Sequence, residues 1–384
     1  MANTLNFGNG KWATKKDGIL GFNNVNANFK PLSFVTSRAS TATVINQAGL
    51  IENVGNGIPR VDYVGNTKGA YLLEPQSTNL LVYSNDFSRG QWSKSNSSVE
   101  SGFASPSKDI PLGAFRFNLN ASGYMFASAT TTKVVGSKET ISIFSTTNTD
   151  GIFCKFGGST LAGTDVFKKE TLSSGWFRYS VTRTFTAAAT GDTIMSLSFS
   201  ALGTGQFIIY GAQLEQEGSA TSLINTDGGV QTRLVDNFNA SIPSSDTFNS
   251  TNGFTFFGTF ESSGGGGTSS MMLQFNNNLG YVGFGHNGTN WRTRINNSST
   301  NVTDITNISL LKKSSLSIAI NPTDYSIFAN GAEQTSGTLD LSGSTIPTSI
   351  SFRSGAEFGV VRISDLRMYN TKLTTAELTT LTSI

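Results

Sequence analysis

The chain has 384 residues with 27 basic and 25 acidic side chains, a formal net charge of +2 and only 14% charged residues, with no block of like charge. That argues against nucleic-acid binding, which needs a clustered basic face. A hydrophobic content of 37%, with 28 Phe and 41 Gly against 8 Pro, excludes wholesale disorder and describes a turn-rich β protein.

At about 100–200 residues per domain, the length suits two or three domains. Residues 1–76 show little regular period and are punctuated at Gly8-Asn9-Gly10 and Gly55-Asn56-Gly57. Ala42-Thr43-Val44-Ile45 reads as a short strand, Gln47-Ala48-Gly49 as a turn, and residues 50–54 as the strand pairing back. Residues 60–63 and 70–75 read as further short strands or extended arms. So sparse a segment has few ways to bury its own surface, which predicts that it gains order by packing on another chain. The start, residues 1–8, lacks an apolar stretch of signal-peptide type, which predicts synthesis in the cytosol without secretion. No run approaches the roughly 18 apolar residues of a membrane-spanning helix, so no membrane insertion is expected.

The texture changes near Thr78-Asn79-Leu80-Leu81. Strand candidates follow at residues 114–118, 140–144, 151–156, 176–181, 194–199 and 206–210. In residues 194–199, Met195, Leu197 and Phe199 alternate with Ile194, Ser196 and Ser198, giving one apolar and one polar face. Short strands of this kind fit an antiparallel sandwich of jelly-roll type over residues 77–228. The one cysteine, Cys154, rules out an intrachain disulfide framework. It alternates with Ile152 and Phe156 on one strand face and reads as a buried core thiol.

Beyond a polar connector at residues 225–229, a third β-rich region covers residues 229–384. Its strand candidates lie at residues 253–260, 271–275, 279–285, 291–295, 315–320 and 324–329, with closing strands at 359–363 and 366–369. Asn330-Gly331 is a hairpin signal. Thr374-Thr375-Ala376-Glu377 has capping-box spacing and opens one short helix through Leu381. The expected architecture is all-β: an extended N-terminal anchoring region, two antiparallel β-sandwich domains and one short C-terminal helix.

Two sets of segments resemble a recurrent pattern of phage virion proteins. One set is Ser37-Arg38-Ala39-Ser40-Thr41-Ala42-Thr43, Ile58-Pro59-Arg60-Val61-Asp62-Tyr63 and Glu74-Pro75-Gln76-Ser77-Thr78-Asn79-Leu80-Leu81-Val82-Tyr83-Ser84-Asn85-Asp86-Phe87. The other is Tyr210-Gly211-Ala212-Gln213-Leu214-Glu215-Gln216-Glu217-Gly218, continuing to Thr221-Ser222-Leu223-Ile224-Asn225-Thr226. Together they bracket a region, residues 37–233, that resembles the carbohydrate-binding-module-like jelly rolls of phage head-fibre and tail proteins. The C-terminal part resembles laminin-G and concanavalin-A-like sandwiches, through Asn330-Gly331 and Val361-Arg362-Ile363-Ser364-Asp365-Leu366-Arg367-Met368-Tyr369-Asn370-Thr371-Lys372-Leu373 with its trailing helix.

The resemblance implies a structural virion subunit, a head fibre or tail appendage. It implies self-association as a homotrimer, contact with other virion structural proteins through the N-terminal region, and adhesion to host-surface glycans. The alternative is a glycan depolymerase of a phage tail. Members of the laminin-G type often bind calcium at one rim, but few carboxylates cluster there in this sequence, and no cofactor is expected.

Candidate catalytic residues are sparse. The one histidine, His286, sits in Gly285-His286-Asn287-Gly288 with no Gly-x-Ser-x-Gly elbow to support a nucleophile. Glu215 and Glu217 lie two apart on one strand face, about 6.6 Å at backbone level, a common spacing for a solvated face. The run Gly264-Gly265-Gly266-Gly267 lacks the Gly-Lys-Ser/Thr ending of a phosphate loop. Cys/His spacing supports no metal site. No catalytic residue is therefore assigned, and the chain is read as a binder. For glycan contact the candidates are Trp291, as a stacking platform, with Arg292 and Arg294 to hydrogen-bond hydroxyls; Trp92 and Tyr124 come second.

Overall fold

The computed structural model describes residues 4–15, 18–23, 27–148, 154–157, 162–198, 204–241, 253–263, 274–275, 281–286, 289–296, 301–309, 312–339, 349–353 and 359–384. Strands dominate these residues and a single short helix lies near the C-terminus, the all-β class that the sequence predicts.

The first sandwich is one curled sheet of eight strands, organised by the twenty-residue strand Ala114–Lys133. Its first half pairs with Gly205–Glu215 and its second half with Ala189–Ser198. Between the halves Ser122 adopts a left-handed φ of 59°. A Cβ on the neighbouring Gly123 would lie 2.4 Å from the Asn96 carbonyl oxygen, so the bend requires glycine. The sequence pattern predicts an end to this strand at Asn118, because residues 120–132 are rich in Ser, Thr and Ala. The inward face nevertheless continues, with Met125, Ala127, Thr131 and Lys133 all buried.

Gly205–Glu215 pairs onward to Lys138–Ser145, that strand to Phe177–Phe185, and that to the edge strand Gly163–Thr171. Inward residues of period two, among them Phe117, Ile141, Ile143, Tyr179, Val181, Leu197 and Leu214, close one core with Trp92. Cys154 joins it, fully buried, and burial pushes its thiol pKa up. Ile152 and Phe199, predicted on neighbouring faces, lie outside the described residues.

The second sandwich is built on a fourteen-stranded sheet faced by a three-stranded sheet of Tyr281–His286, Asn290–Asn296 and Asn301–Ser309. Its central strand, Val361–Tyr369, is continuous where two closing strands are predicted; a register shift opposite Thr259 and Phe260 accommodates the break in pattern. Residues 1–76 enter this body. Thr4–Gly8 pairs with Val361–Tyr369, Ala70–Leu73 pairs beside it, and Asn28–Ser37 pairs with Asn237–Ser241. Phe7, Tyr71 and Leu73 lie in the same core as Phe256, Phe284 and Ile318. The expectation that this segment has few ways to bury its own surface is corrected: much of it pairs and packs within the chain, on partners some 300 residues away that a local reading cannot see, while Phe29 and Val35 stay exposed.

Several local signals hold. Ala42–Ile45 pairs with Ile51–Val54, and the Asn46 side chain accepts the Ala48 and Leu50 amides inside the turn. Asn330 and Gly331 take φ of 49° and 81° between Asp324–Ala329 and Ala332–Thr338. The Thr374–Glu377 capping box opens the helix Thr375–Thr382. The glycine run at 264–267 lies outside the described residues.

Candidate functional site

The segments that link the two sandwiches converge on a set of buried charges. Arg38 follows Asn28–Ser37, Glu74 follows Ala70–Leu73, Arg233 ends Gln231–Arg233, and Asp236 immediately precedes Asn237–Ser241. With Arg60, all five are at most 3% exposed. Arg60 donates to Glu74 at 2.7 Å and also to Asp236, and Arg38 donates to the other Asp236 oxygen at 2.9 Å. Arg233 approaches Glu74 at 3.4 Å and donates to the Pro75 carbonyl at 2.6 Å. The Ser222 amide and hydroxyl donate to Glu74 at 2.7 and 2.6 Å, tying in the first sandwich.

Burial opposes the charges of Glu74, Arg60 and Arg38, and at the first two the neighbours decide the outcome. Burial would raise the Glu74 pKa, but Arg233 and Arg60 hold it well below the usual carboxylate range. Burial would lower the Arg60 pKa, but Asp236 and Glu74 raise it. Arg38, buried and crowded by Arg60, is lowered despite Asp236. Breaking one member leaves its partners buried and uncompensated, which makes such a cluster a clasp rather than a reactive centre.

Beside the clasp lies Glu215, also fully buried; its oxygens accept from Ser77 at 2.7 Å, the Thr221 amide at 3.1 Å and the Thr221 hydroxyl. Glu217, half-buried two residues on, has its pKa pushed up to about 7, first by burial and then by the Glu215 charge. The solvated face expected from their spacing is corrected: Glu215 is wholly buried because Ser77 and Thr221 donate to it, and it is committed to holding the fold together.

The open site is a cleft of about 560 Å³ between the two sandwiches. Period-two alternation builds its first wall: Phe167 turns inward against Tyr179, so Val166, Lys168 and Glu170 turn outward. Pairing register aligns them with Thr182 and Ser180, and brings Lys138 opposite Thr184. The second wall carries Glu261, Ser262, Ser263, Thr289, Ser309 and Arg362. Ser219 and Ser263 share a hydrogen bond of 2.7 Å across the gap.

Arg362 donates to Asp62 at 2.7 Å, and Lys168 pairs with Glu170 at 2.9 Å. Although burial would raise the Glu170 pKa, Lys168, Arg362 and Arg178 together pull it down to about 2. A carboxylate held ionised in this way cannot serve as a general acid near neutral pH. The cleft can therefore hydrogen-bond and ion-pair; its size is within the ordinary range for small-molecule sites, roughly 300–1,000 Å³.

The glycan candidates named from sequence lie elsewhere. Trp291 is 0% exposed, its ring 5.6 Å from that of Phe260 inside the second core. It has no face to offer a sugar, which corrects the stacking-platform expectation: the strand Asn290–Asn296 turns Trp291, Thr293 and Ile295 inward. Arg292 and Arg294 are half-buried on the opposite face, so they are brought together but not with Trp291. Trp92 is buried and donates to the Tyr83 carbonyl at 3.0 Å; Tyr124 is 40% exposed. His286 is a buried strand-end residue opposite Trp291. The cleft residues escaped sequence reading because the strand Gly163–Thr171 is polar and highly charged and gives little apolar alternation.

No known family profile matches the chain, and no curated protein matches it. Among solved structures, the binding domain of botulinum neurotoxin DC, in complex with rat synaptotagmin II, aligns over 38% of this chain and 39% of that one, with 12% identity and a TM-score of 0.33. Domain 4 of AbnA, a GH43 extracellular arabinanase from Geobacillus stearothermophilus in complex with arabinotriose, aligns over 44% and 84%, with 16% identity and a TM-score of 0.29. A Trypanosoma rangeli sialidase aligns over 96% and 61%, with 11% identity and a TM-score of 0.28. Similarities this slight carry no argument about ligand or activity.

Proposed function

We propose that this chain is an adhesive, non-enzymatic structural subunit of a phage-type virion, a head fibre or tail appendage, that holds a surface glycan in the cleft between its two sandwiches. The observation that carries the glycan contact is the cleft itself: about 560 Å³, walled by hydroxyl and charged side chains on a sheet face whose other side is apolar core. The virion role rests on the ordered motifs within residues 37–233, three of whose charged residues, Arg38, Arg60 and Glu74, belong to the clasp. Homotrimeric assembly and contact with other virion proteins belong to the same reading.

The test is a glycan array probed with the full chain, alongside Thr184→Trp, which places a bulky ring in the cleft. Selective binding by the native protein that Thr184→Trp abolishes, with an unchanged melting temperature, supports the reading; binding indifferent to a filled cleft overturns it. Immunogold labelling of purified particles decides the virion role, and sedimentation the trimer. One observation favours a second reading, a glycan hydrolase: the Glu217 pKa near 7 suits a general acid. Release of reducing ends from a bound glycan, lost in Glu217→Gln, would establish that reading instead.

A further inference from the structure

If the cleft is a glycan site, its lining restricts the kind of glycan. Phe167 is the one aromatic residue among those lining it, and its ring packs on Tyr179, 6.0 Å between centroids. Stacking on a sugar face is thus not available as the main source of affinity; hydrogen bonds and charge must supply it. The acids at the cleft lie beside cations. Glu170 is paired with Lys168 and lies in the field of Arg362 and Arg178. Glu261 is opposite Arg362 in register and contributes to its environment, and Asp62 is bonded to Arg362. Lys138 differs. It is exposed at the first strand position of Lys138–Ser145 and lines the cleft, and its stem passes close to Gly218, where a Cβ would lie 3.5 Å from its Cδ. Among the described residues it makes no ion pair.

We infer that the cleft takes an anionic, hydroxyl-rich chain, with Lys138 meeting an acidic group while the row of Ser180, Thr182 and Thr184 beside it meets hydroxyls. The geometry supports this in two ways. The cross-strand register places Lys138 directly beside Thr184, so one ligand residue can touch both. Further, the cations lining the cleft (Lys138, Lys168, Arg362) outnumber the acids lining it (Glu170, Glu261) by one, and Lys138 is the one without an ion pair among the described residues. An acidic residue in the ligand completes the pairing, whereas a neutral glycan leaves Lys138 with solvent alone.

The experiment titrates the full chain with three probes: a galacturonate octasaccharide, a glycerol-phosphate oligomer and a neutral malto-octaose. Each is repeated on Lys138→Gln and on Lys155→Gln, an exposed lysine on the edge strand Cys154–Gly157. The expected result is binding of one anionic probe in preference to the neutral one, weakened about fivefold by Lys138→Gln and unchanged by Lys155→Gln, with the preference fading as salt is raised. Which anionic probe binds tells whether a carboxylate or a phosphodiester is read. Equal binding of neutral and anionic probes, or a preference that survives Lys138→Gln, overturns this inference and leaves the glycan reading standing. Failure of all three probes, together with a blank array, overturns both.

Discussion

The clasp around Arg60 and the cleft beside it are made of the same materials, charged and hydroxyl side chains set among β-strands, and they differ in what fills the space between those side chains. In the clasp, each oxygen of Glu74 and Asp236 accepts from a protein donor, and the five charges are sealed from water. In the cleft, equally polar walls stand apart around about 560 Å³. Buried charge is tolerated where opposite charges and hydrogen bonds from the chain itself meet it. Polar groups arranged just as regularly but left apart are what a binding surface requires, because a ligand must be able to complete them. The comparison separates residues that hold the two sandwiches together from residues that can meet another molecule.

Breaking the clasp should have the largest effect. Arg60→Met removes the donor shared by Glu74 and Asp236 and should destabilise the protein by about 3–5 kcal/mol in urea unfolding. Adding Glu74→Gln in the same chain should recover part of that loss, because it removes a charge that the first substitution strands; a purely additive pair would show that the residues do not act as a unit. Trp291→Ala belongs to the same scale. A tryptophan wholly inside the core costs about 3–5 kcal/mol on truncation, whereas a ring held out for ligand would cost little stability and much binding. Unfolding measurements with the glycan array distinguish the two.

Acid should separate the regions next. The Glu170 pKa is depressed from 4.5 to about 2, so the ionised group stabilises the fold fully above pH 4.5, and that contribution is lost as pH falls from there toward 2. The expected loss is about 1–2 kcal/mol, allowing for a side chain that is 16% exposed and screened by solvent. Thermal melts from pH 6 to pH 2.5 should steepen below 4.5, and Glu170→Gln should flatten that limb while lowering the melting temperature at pH 8, where the ionised group contributes in full. Glu74 is depressed further and contributes in the same direction, so the double variant with Glu74→Gln should be flatter still.

How much of this was legible depended on whether the cause was local. The Asn330-Gly331 turn, the Thr374 capping box and the Met195/Leu197 alternation are encoded within a few residues and could be read directly. Trp291 was misplaced because alternation tells that it opposes Arg292 and Arg294 but not which face is the core; the decision is made by Phe260, distant in sequence. The long strand Ala114–Lys133 hid its second half because, beyond Met125, its inward face is filled by small, hydroxyl and basic side chains. Of the clasp, Arg38, Arg60 and Glu74 stand in the motifs without a role, and Arg233 and Asp236 stand in none of them. Arg38, Glu74 and Asp236 meet only when strands separated by more than 150 positions pair, which no local pattern reports.

Glu217 offers the finest test, because it sits between the two regions: next to Glu215, which anchors Ser77 and Thr221, and just before Gly218, Ser219 and Ala220, which line the cleft. Its native pKa near 7 exceeds the ordinary 4.5, so the folded state keeps a proton that the unfolded chain releases. Stability should therefore decline as pH rises from 4.5 to 7, with the penalty fully present above 7. Glu217→Gln removes the charge that burial and Glu215 disfavour. It should raise stability at pH 8 by about 1 kcal/mol, discounted for partial exposure, and leave stability at pH 4 unchanged. If the same variant keeps glycan binding and shows no loss of any reducing-end release, Glu217 belongs with the clasp as a mismatched charge at its margin. If a measurable hydrolysis disappears with it, the residue belongs to the cleft, and the boundary between holding and meeting another molecule runs through residues 215–217.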